Sequence, residues 1–218
     1  MLELSISTPD ERRPRHMLCL GAHCDDIDIG CGGTILKLLS TGSWEVTWVA
    51  FSSTAERARE FRQSARRFLR RAVRSRVLTF EFRDTYFPAE YSALKRTFDT
   101  LKNLPSPSLV FTHHRADLHQ DHRIVGELTW NAFRRHLILE YEIPKYEGAL
   151  STPNAYVRLT RAQAMAKARS IVRCYPSQHG KPWFTQETFI ALMHLRGVEA
   201  GAGTRWAEGF HAAKFCIA

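Results

Sequence analysis

Apolar residues fall in short blocks separated by polar stretches. Met17–Ala22 (MLCLGA) is an unbroken apolar run of buried-strand length, and Trp44–Phe51 (WEVTWVAF) is a second. Val77–Phe82 and Leu109–Thr112 supply a third and a fourth. Between these runs the period lengthens. Ile35, Leu36, Leu38 and Leu39 repeat at helical spacing and stop near Gly42, and Ala58, Phe61, Ala65, Phe68 and Ala72 do the same across 54–74. Tyr91, Leu94, Phe98 and Leu101 mark another helix, and 123–136 reads as helical. Spacings of three and four put such residues on one helix face. Strand and helix therefore alternate four times. That order predicts an α/β fold, a Rossmann-like three-layer sandwich with a mostly parallel central sheet.

The rest of the pattern is less regular. Gly30-Cys31-Gly32-Gly33 reads as a glycine-rich turn, and 138–159, with Pro144, Gly148 and Pro153, as strand pieces and loops. A helix over 160–173 and a final strand at Lys214–Ile217 complete the C-terminal part. The first 16 residues are polar, contain two prolines and read as a loose arm. No linker interrupts the rest of the chain, so residues 1–218 read as one domain.

Composition narrows the class. With 44% hydrophobic and 24% charged residues the chain is ordinary for a globular protein, which excludes wholesale disorder. The five cysteines are odd in number and contain no C-x-x-C pair, so neither a disulfide framework nor a zinc knuckle is expected. The N-terminal segment lacks the apolar stretch of a signal peptide, and no apolar run approaches the ~20 residues that span a bilayer. These features point to a cytoplasmic protein with no membrane partner. The formal net charge of +9 favours anionic partners. Nine arginines lie between Arg57 and Arg76, with Arg59, Arg62, Arg66 and Arg70 in one helical stripe. A nucleic-acid surface is one reading of that stripe and a solvated helix face is the other. No nucleic-acid-binding motif accompanies it, which favours the second.

Two polar clusters carry the chemistry. His23-Cys24-Asp25-Asp26 follows the first strand, and His119-Gln120-Asp121-His122 follows the fourth. In parallel α/β sheets, ligands gather at the carboxyl ends of strands. Residues three apart in a tight turn project to one side, so His23 and Asp26 can share a metal. One histidine of the second cluster completes a two-histidine, one-carboxylate set, which leaves a coordination position open as catalytic zinc requires. Asp25 then stands beside the metal, placed to take a proton from water. The alternative for Asp26 is a plain helix cap. Asp84, just after the third strand, suits sugar hydroxyls or a turn, and His113, His114 and Asp117 lie near enough to the second cluster to line a pocket, as supports of the ligands rather than ligands themselves.

Ala22-His23-Cys24-Asp25-Asp26 resembles the A-H-P-D-D motif of the PIG-L/LmbE family of zinc-dependent deacetylases, and His119-Gln120-Asp121-His122 resembles that family's H-P-D-H. Gly30–Thr34, Arg57–Glu60, Tyr175-Pro176-Ser177-Gln178 and Arg205–Phe210 are similar to further family segments, so the resemblance spans roughly 17–210. It implies that His23, Asp26 and His122 hold zinc, or another divalent metal such as Fe2+. It makes Asp25 the general base, His119 an imidazolium that stabilises the oxyanion, and Asp121 a residue that holds and polarises a histidine. Arg57 would contact substrate as the family's arginine does, the alternative being an exposed helix arginine. The implied reaction removes acetate from an N-acetylated amino sugar or conjugate, such as a nucleotide sugar, a glycosylated metabolite or a polysaccharide precursor. An anionic substrate fits the charge, and a homo-oligomer is left open. Three departures stand out: Cys24 and Gln120 replace prolines, and Asp117 stands about where many relatives carry tyrosine. Two rivals remain: a metal-dependent hydrolase of another amide or ester, and a nucleic-acid-binding protein with a degenerate metal site.

Overall fold

The structure, a computed structural model, describes residues 14–148, 150–201, 203 and 205–214. The elements are β1 (Arg15–Gly21), α1 (Asp26–Thr41), β2 (Trp44–Ala50), α2 (Ala55–Phe68), β3 (Arg74–Thr79), α3 (Tyr91–Leu101), β4 (Leu109–His113) and α4 (Gln120–Phe133). Then come β5 (Leu137–Tyr141), β6 (Ala155–Leu159), α5 (Arg161–Cys174), a 3-10 turn at Pro176–Gln178, α6 (Gln186–Glu199) and β7 (Trp206–His211). One seven-stranded sheet has the order β3-β2-β1-β4-β5-β7-β6. β1 to β5 are mutually parallel, and β7 runs antiparallel to both β5 and β6.

Strand alternation splits the core in two. Met17 and Cys19 join a cluster with α1, α2, α5 and α6 residues, while Leu18 and Leu20 pack with α3 and α4 residues. With helices on both faces, a central strand has no solvated side, which is why β1 reads as an unbroken apolar run. Chain order reverses between β1 and β4, neighbours in the sheet. That is the switch point where a crevice opens beyond the strand ends. Both polar clusters stand there.

Several boundaries differ from the sequence reading. The glycines at 30–33 lie inside α1, which starts at Asp26. Their absent side chains serve close packing: a Cβ on Gly30 would sit 2.1 Å from the Tyr141 ring, and one on Gly33 2.5 Å from Leu159. α2 ends at Phe68, and β3 starts at Arg74 because Arg74, Ser75 and Arg76 pair with Glu45, Val46 and Thr47 of β2. β5 is a fifth parallel strand rather than a loop fragment. α6 was not foreseen, and the last described strand is β7. Lys214 is irregular, and the rest of the expected Lys214–Ile217 strand lies outside the described residues. Arg15 and His16, assigned to the loose arm, open β1; residues 1–13 lie outside the described residues.

A buried ion pair fixes α1 to the C-terminal strands. Glu208 of β7 accepts from the backbone N–H groups of Gly33 (2.8 Å) and Thr34 (2.6 Å). Lys167 of α5 donates to Glu208 and to the Ile29 carbonyl, both at 2.5 Å. A side chain at position 33 would block this approach, since its Cβ would lie 3.0 Å from Glu208 Oε1. Among the described residues, no helix is long and apolar enough to cross a membrane.

Candidate metal centre

The turn after β1 closes on itself. Asp26, the first residue of α1, accepts from the His23 backbone N–H at 2.6 Å, which brings the His23 ring over its carboxylate. His23 Nδ1 lies 3.3 Å from Asp26 Oδ2. From the first turn of α4, His122 Nε2 reaches to 3.3 Å from His23 Nδ1 and 3.6 Å from Asp26 Oδ1. Tetrahedral zinc with ligand bonds of ~2.0–2.1 Å needs donors about 3.4 Å apart. The separation of the two ring nitrogens matches that edge, and each nitrogen lies within 3.6 Å of one oxygen of the Asp26 carboxylate, His23 beside Oδ2 and His122 beside Oδ1.

Neighbouring carboxylates decide which ring nitrogens are bare. His122 Nδ1 bonds Asp117 Oδ2 at 2.9 Å, so the proton resides there and Nε2 keeps its lone pair. His23 Nε2 lies 3.2 Å from Asp121 Oδ2 and 2.9 Å from Asp84 Oδ1, which likewise leaves Nδ1 bare. With His23 neutral, two lone pairs face each other beside a carboxylate, an arrangement that a cation relieves: a metal ion between the rings or, without one, a proton on His23 Nδ1. The residues fit a divalent metal, and His23 Nδ1, Asp26 and His122 Nε2 are the atoms that would hold it. The groupings His113–Asp117–His122 and His23–Asp84–His119–Asp121 also bring ligand types together, but they share the His122 and His23 rings and act as their supports.

Charges around the centre agree with that arrangement. Burial alone would lower the His23 pKa, but Asp26 and bonds to Asp121 and Asp84 raise it well above the usual value. Without a metal, this ring would carry the missing positive charge. Burial and then His113 push His122 well below its usual value, which keeps it a neutral ligand. Burial would raise Asp26, yet His122, His113 and His23 hold it well below the carboxylate range. The His23 bond comes first in bringing Asp84 down to about 2.

Asp25 occupies the N-cap position of α1 but makes no capping bond. Its Oδ1 instead accepts from Arg57 Nη2 at 2.7 Å. Arg57, expected to contact substrate, lines the pocket but spends its guanidinium on Asp25, Glu60 and Ser177. His119 caps α4, and its Nδ1 accepts from the Asp121 N–H at 3.2 Å. The ring proton is therefore on Nε2. Burial, then Lys145 and His23, lower the His119 pKa, so the fold favours a neutral N–H donor over the imidazolium that the resemblance implies. Asp121 is fully buried and fixed by the Thr85 (2.7 Å) and Phe87 (3.2 Å) N–H groups. Thr85 adopts φ +68°, a conformation costly for a β-branched residue, to present that N–H. Cys24 is buried with its thiol raised to about 12, chiefly by burial, and points at the Ser52 carbonyl.

The pocket above this centre holds about 360 Å³. Its floor is His23, Asp25, Asp26 and His119, with Asp84 on its wall. Lys145, Tyr146 and Glu147 enter from the β5–β6 loop, and Gln178, Lys181 and Trp183 from the α5–α6 loop. Those loops carry no periodic signal, and sequence reasoning missed all but Gln178. The expectation that His113, His114 and Asp117 line the pocket is corrected. His113 and Asp117 are buried behind the ligands, and His114 turns away to Glu140 and stacks on His211 at 3.8 Å. The exposed arginines of α2 do not reach the pocket either.

The PIG-L family, described as GlcNAc-PI de-N-acetylase, matches residues 18–133, more than half of the chain. The chain belongs to the PIG-L family of deacetylases. It is 30% identical over 147 residues to the uncharacterized deacetylase YaiS of Escherichia coli K12, covering 64% of this chain and 78% of that one. Among solved structures, N,N'-diacetylchitobiose deacetylase from Pyrococcus horikoshii superposes with a TM-score of 0.69 at 24% identity, over 94% of this chain and 86% of that one. GalB, the 4-carboxy-2-hydroxymuconate hydratase from Pseudomonas putida KT2440, superposes with a TM-score of 0.73 at 18% identity, over 94% and 98%. At such identities these two carry the fold alone. The fold serves a hydratase as well as a deacetylase, so the reaction has to be argued from the site.

Proposed function

We propose that this chain is a zinc-dependent, cytoplasmic N-deacetylase that removes acetate from an N-acetylated amino sugar or sugar conjugate. The observation that carries this reading is the juxtaposition of the two bare imidazole nitrogens and Asp26 with the uncapped carboxylate of Asp25, on the floor of one open pocket. A divalent cation held by His23, Asp26 and His122 supplies Lewis acidity toward an amide carbonyl and toward water. Asp25 takes the proton from the attacking water and is oriented for it by Arg57. His119 donates through Nε2–H to the carbonyl oxygen as charge gathers there. Asp121 and Asp117 hold the rings of His23 and His122 in their ligating orientation. Asp84 stands on the pocket wall, where it accepts from sugar hydroxyls.

A pocket of about 360 Å³ lies at the small end of the ~300–1,000 Å³ range for ligand sites, enough for one hexosamine and part of what it is attached to. The Lys145 and Lys181 ammonium groups pair with no carboxylate among the described residues, which supports an anionic group on the substrate. The four described cysteines are free thiols, as a reducing compartment allows. The test is a panel of N-acetylhexosamines, their phosphates and nucleotide conjugates, offered to zinc-loaded protein with acetate release as readout. Turnover of a sugar amide is expected. Cleavage of esters or non-sugar amides alone, by protein that holds its metal, moves the assignment to another hydrolase on this scaffold.

A further inference from the structure

We infer that Glu60, which lies outside both metal-binding motifs, is a positioning residue that keeps Arg57 on Asp25 and so leaves a single carboxylate oxygen of the base free for a proton. The inference rests on the deacetylase reading for the role of Asp25 as base; the contacts themselves do not.

Glu60 is one turn beyond Arg57 on α2 and only 6% exposed. A carboxylate so deeply placed costs several kcal/mol unless it is paired and hydrogen-bonded. Here it is both. Oε2 accepts from Arg57 Nη1 at 2.9 Å and from Ser177 Oγ at 2.7 Å, and Oε1 accepts from the Ser177 N–H at 2.8 Å. Arg57 sends its other terminal nitrogen to Asp25 Oδ1 at 2.7 Å, with the Tyr175 ring 5.1 Å beneath it. The guanidinium is a planar, rigid fork, so fixing Nη1 fixes the direction of Nη2. Glu60 is the anchored end of that lever and Asp25 the working end.

The consequence falls on the base. Among the described residues, Arg57 is the sole hydrogen-bonding partner of the Asp25 side chain, and it takes Oδ1. Oδ2 is left without a partner on a residue that lines the pocket, which makes it the atom that accepts the proton. Released from Glu60, the guanidinium would follow whichever charge the pocket offers, and the Asp25 carboxylate would turn about its last bond. The same Glu60 carboxylate also seats Ser177, whose neighbour Gln178 lines the pocket, so Glu60 ties the α5–α6 connection to the floor of the site.

The test uses Glu60→Gln, which keeps size and one acceptor but removes the charge that holds Arg57, alongside Glu60→Ala. In zinc-loaded protein, Glu60→Gln is expected to lower kcat on an N-acetyl sugar by ~10–100-fold with KM within about twofold and zinc content unchanged, the pattern of a contact felt in the transition state. In an Asp25→Asn background the same change should cost less than about twofold, because the lever then has nothing to direct. A crystal structure of Glu60→Gln should show Arg57 withdrawn from Asp25. Arg57 still seated on Asp25 in that structure, or an equal loss of kcat in both backgrounds, overturns the inference. If the wild-type protein releases no acetate from any sugar, the deacetylase reading fails by itself, and the crystal structure still decides the lever. Glu60→Gln carries the test should Glu60→Ala not fold.

Discussion

Removing the carboxylate of Glu208 should loosen the joint that holds α1 to the C-terminal strands, and the cost is set by what surrounds it. Glu208 and Lys167 are 4% and 2% exposed, and the carboxylate collects the Gly33 and Thr34 N–H groups as well as the ammonium. In Glu208→Ala the ammonium keeps only the Ile29 carbonyl. Breaking a buried ion pair from one side costs ~3–5 kcal/mol, a figure that already contains much of the penalty for orphaned donors. For a domain of this length ~1 kcal/mol corresponds to ~2–4 °C in Tm, so a drop of ~6–20 °C is expected. Lys167→Met should cost less, because Glu208 retains two backbone donors. The double variant should fall well short of the sum of the singles, since the two side chains share one interaction. Thermal and urea unfolding in chelator, so that metal binding does not mask the change, measures all three. A Glu208→Ala protein within about 1 kcal/mol of wild type, or strict additivity, would show that the pair does not hold the helix.

Four further outcomes are expected. His122→Ala and His23→Ala should each lose most of the stoichiometric zinc, measured by elemental analysis after dialysis; tight zinc in both would remove the metal assignment. Asp25→Asn should keep its zinc and its fold but turn over ~10²–10⁴-fold more slowly, and a near-normal kcat would mean that another group activates water. With Lys145 and Lys181 in the pocket and paired with no carboxylate among the described residues, KM for a phosphorylated N-acetyl sugar should rise several-fold between low and moderate salt as charges ~8–10 Å apart are screened. The neutral sugar should not respond; equal responses would deny the lysines a part in binding. Burial raises Asp28 from 3.8 to about 7, so the folded state binds its proton more tightly, and that stability is present below pH ~4 and lost as the pH rises through about 7. Asp28→Asn should therefore gain on wild type over that interval in urea titrations, and an unchanged difference across it would refute the shift.

The two polar clusters of the candidate metal centre were legible because each follows an apolar strand at its carboxyl end, and the β1–β4 adjacency of this topology brings the clusters together. The α1 glycines misled because glycine weakens a helix in isolation. Here the sheet demands it: Tyr141 occupies the space that a side chain at position 30 would take. β5 was read only as one of several strand pieces because it comes after α4 with only three residues between, too few for a turn signal to register. The roles of Glu60 and Ser177, which stand in family-like segments, and the presence of Lys145 and Trp183 at the pocket were out of reach for a different reason. Their roles come from contacts between loops and helices far apart in the chain, which leave no period in it.

The arginine run shows how one composition signal divides once the chain is folded. Arg57 faces the pocket, and there it is neutralised by Asp25 and Glu60, so it adds structure to the base rather than charge to the mouth. Arg59, Arg62, Arg66 and Arg70 are exposed, the first three on α2 and the last just beyond it, and none lines the pocket. Arg74 and Arg76 sit on β3, one of the two edge strands of the sheet. Such an edge invites another strand, and charged side chains are a common means of blocking it. Among the described residues, the other cations that line the pocket are Lys145 and Lys181, two lysines on loops that the net charge could not single out. On the proposed reading, specificity for an anionic sugar would therefore change through the β5–β6 and α5–α6 loops, with the basic helix and the candidate metal centre left intact.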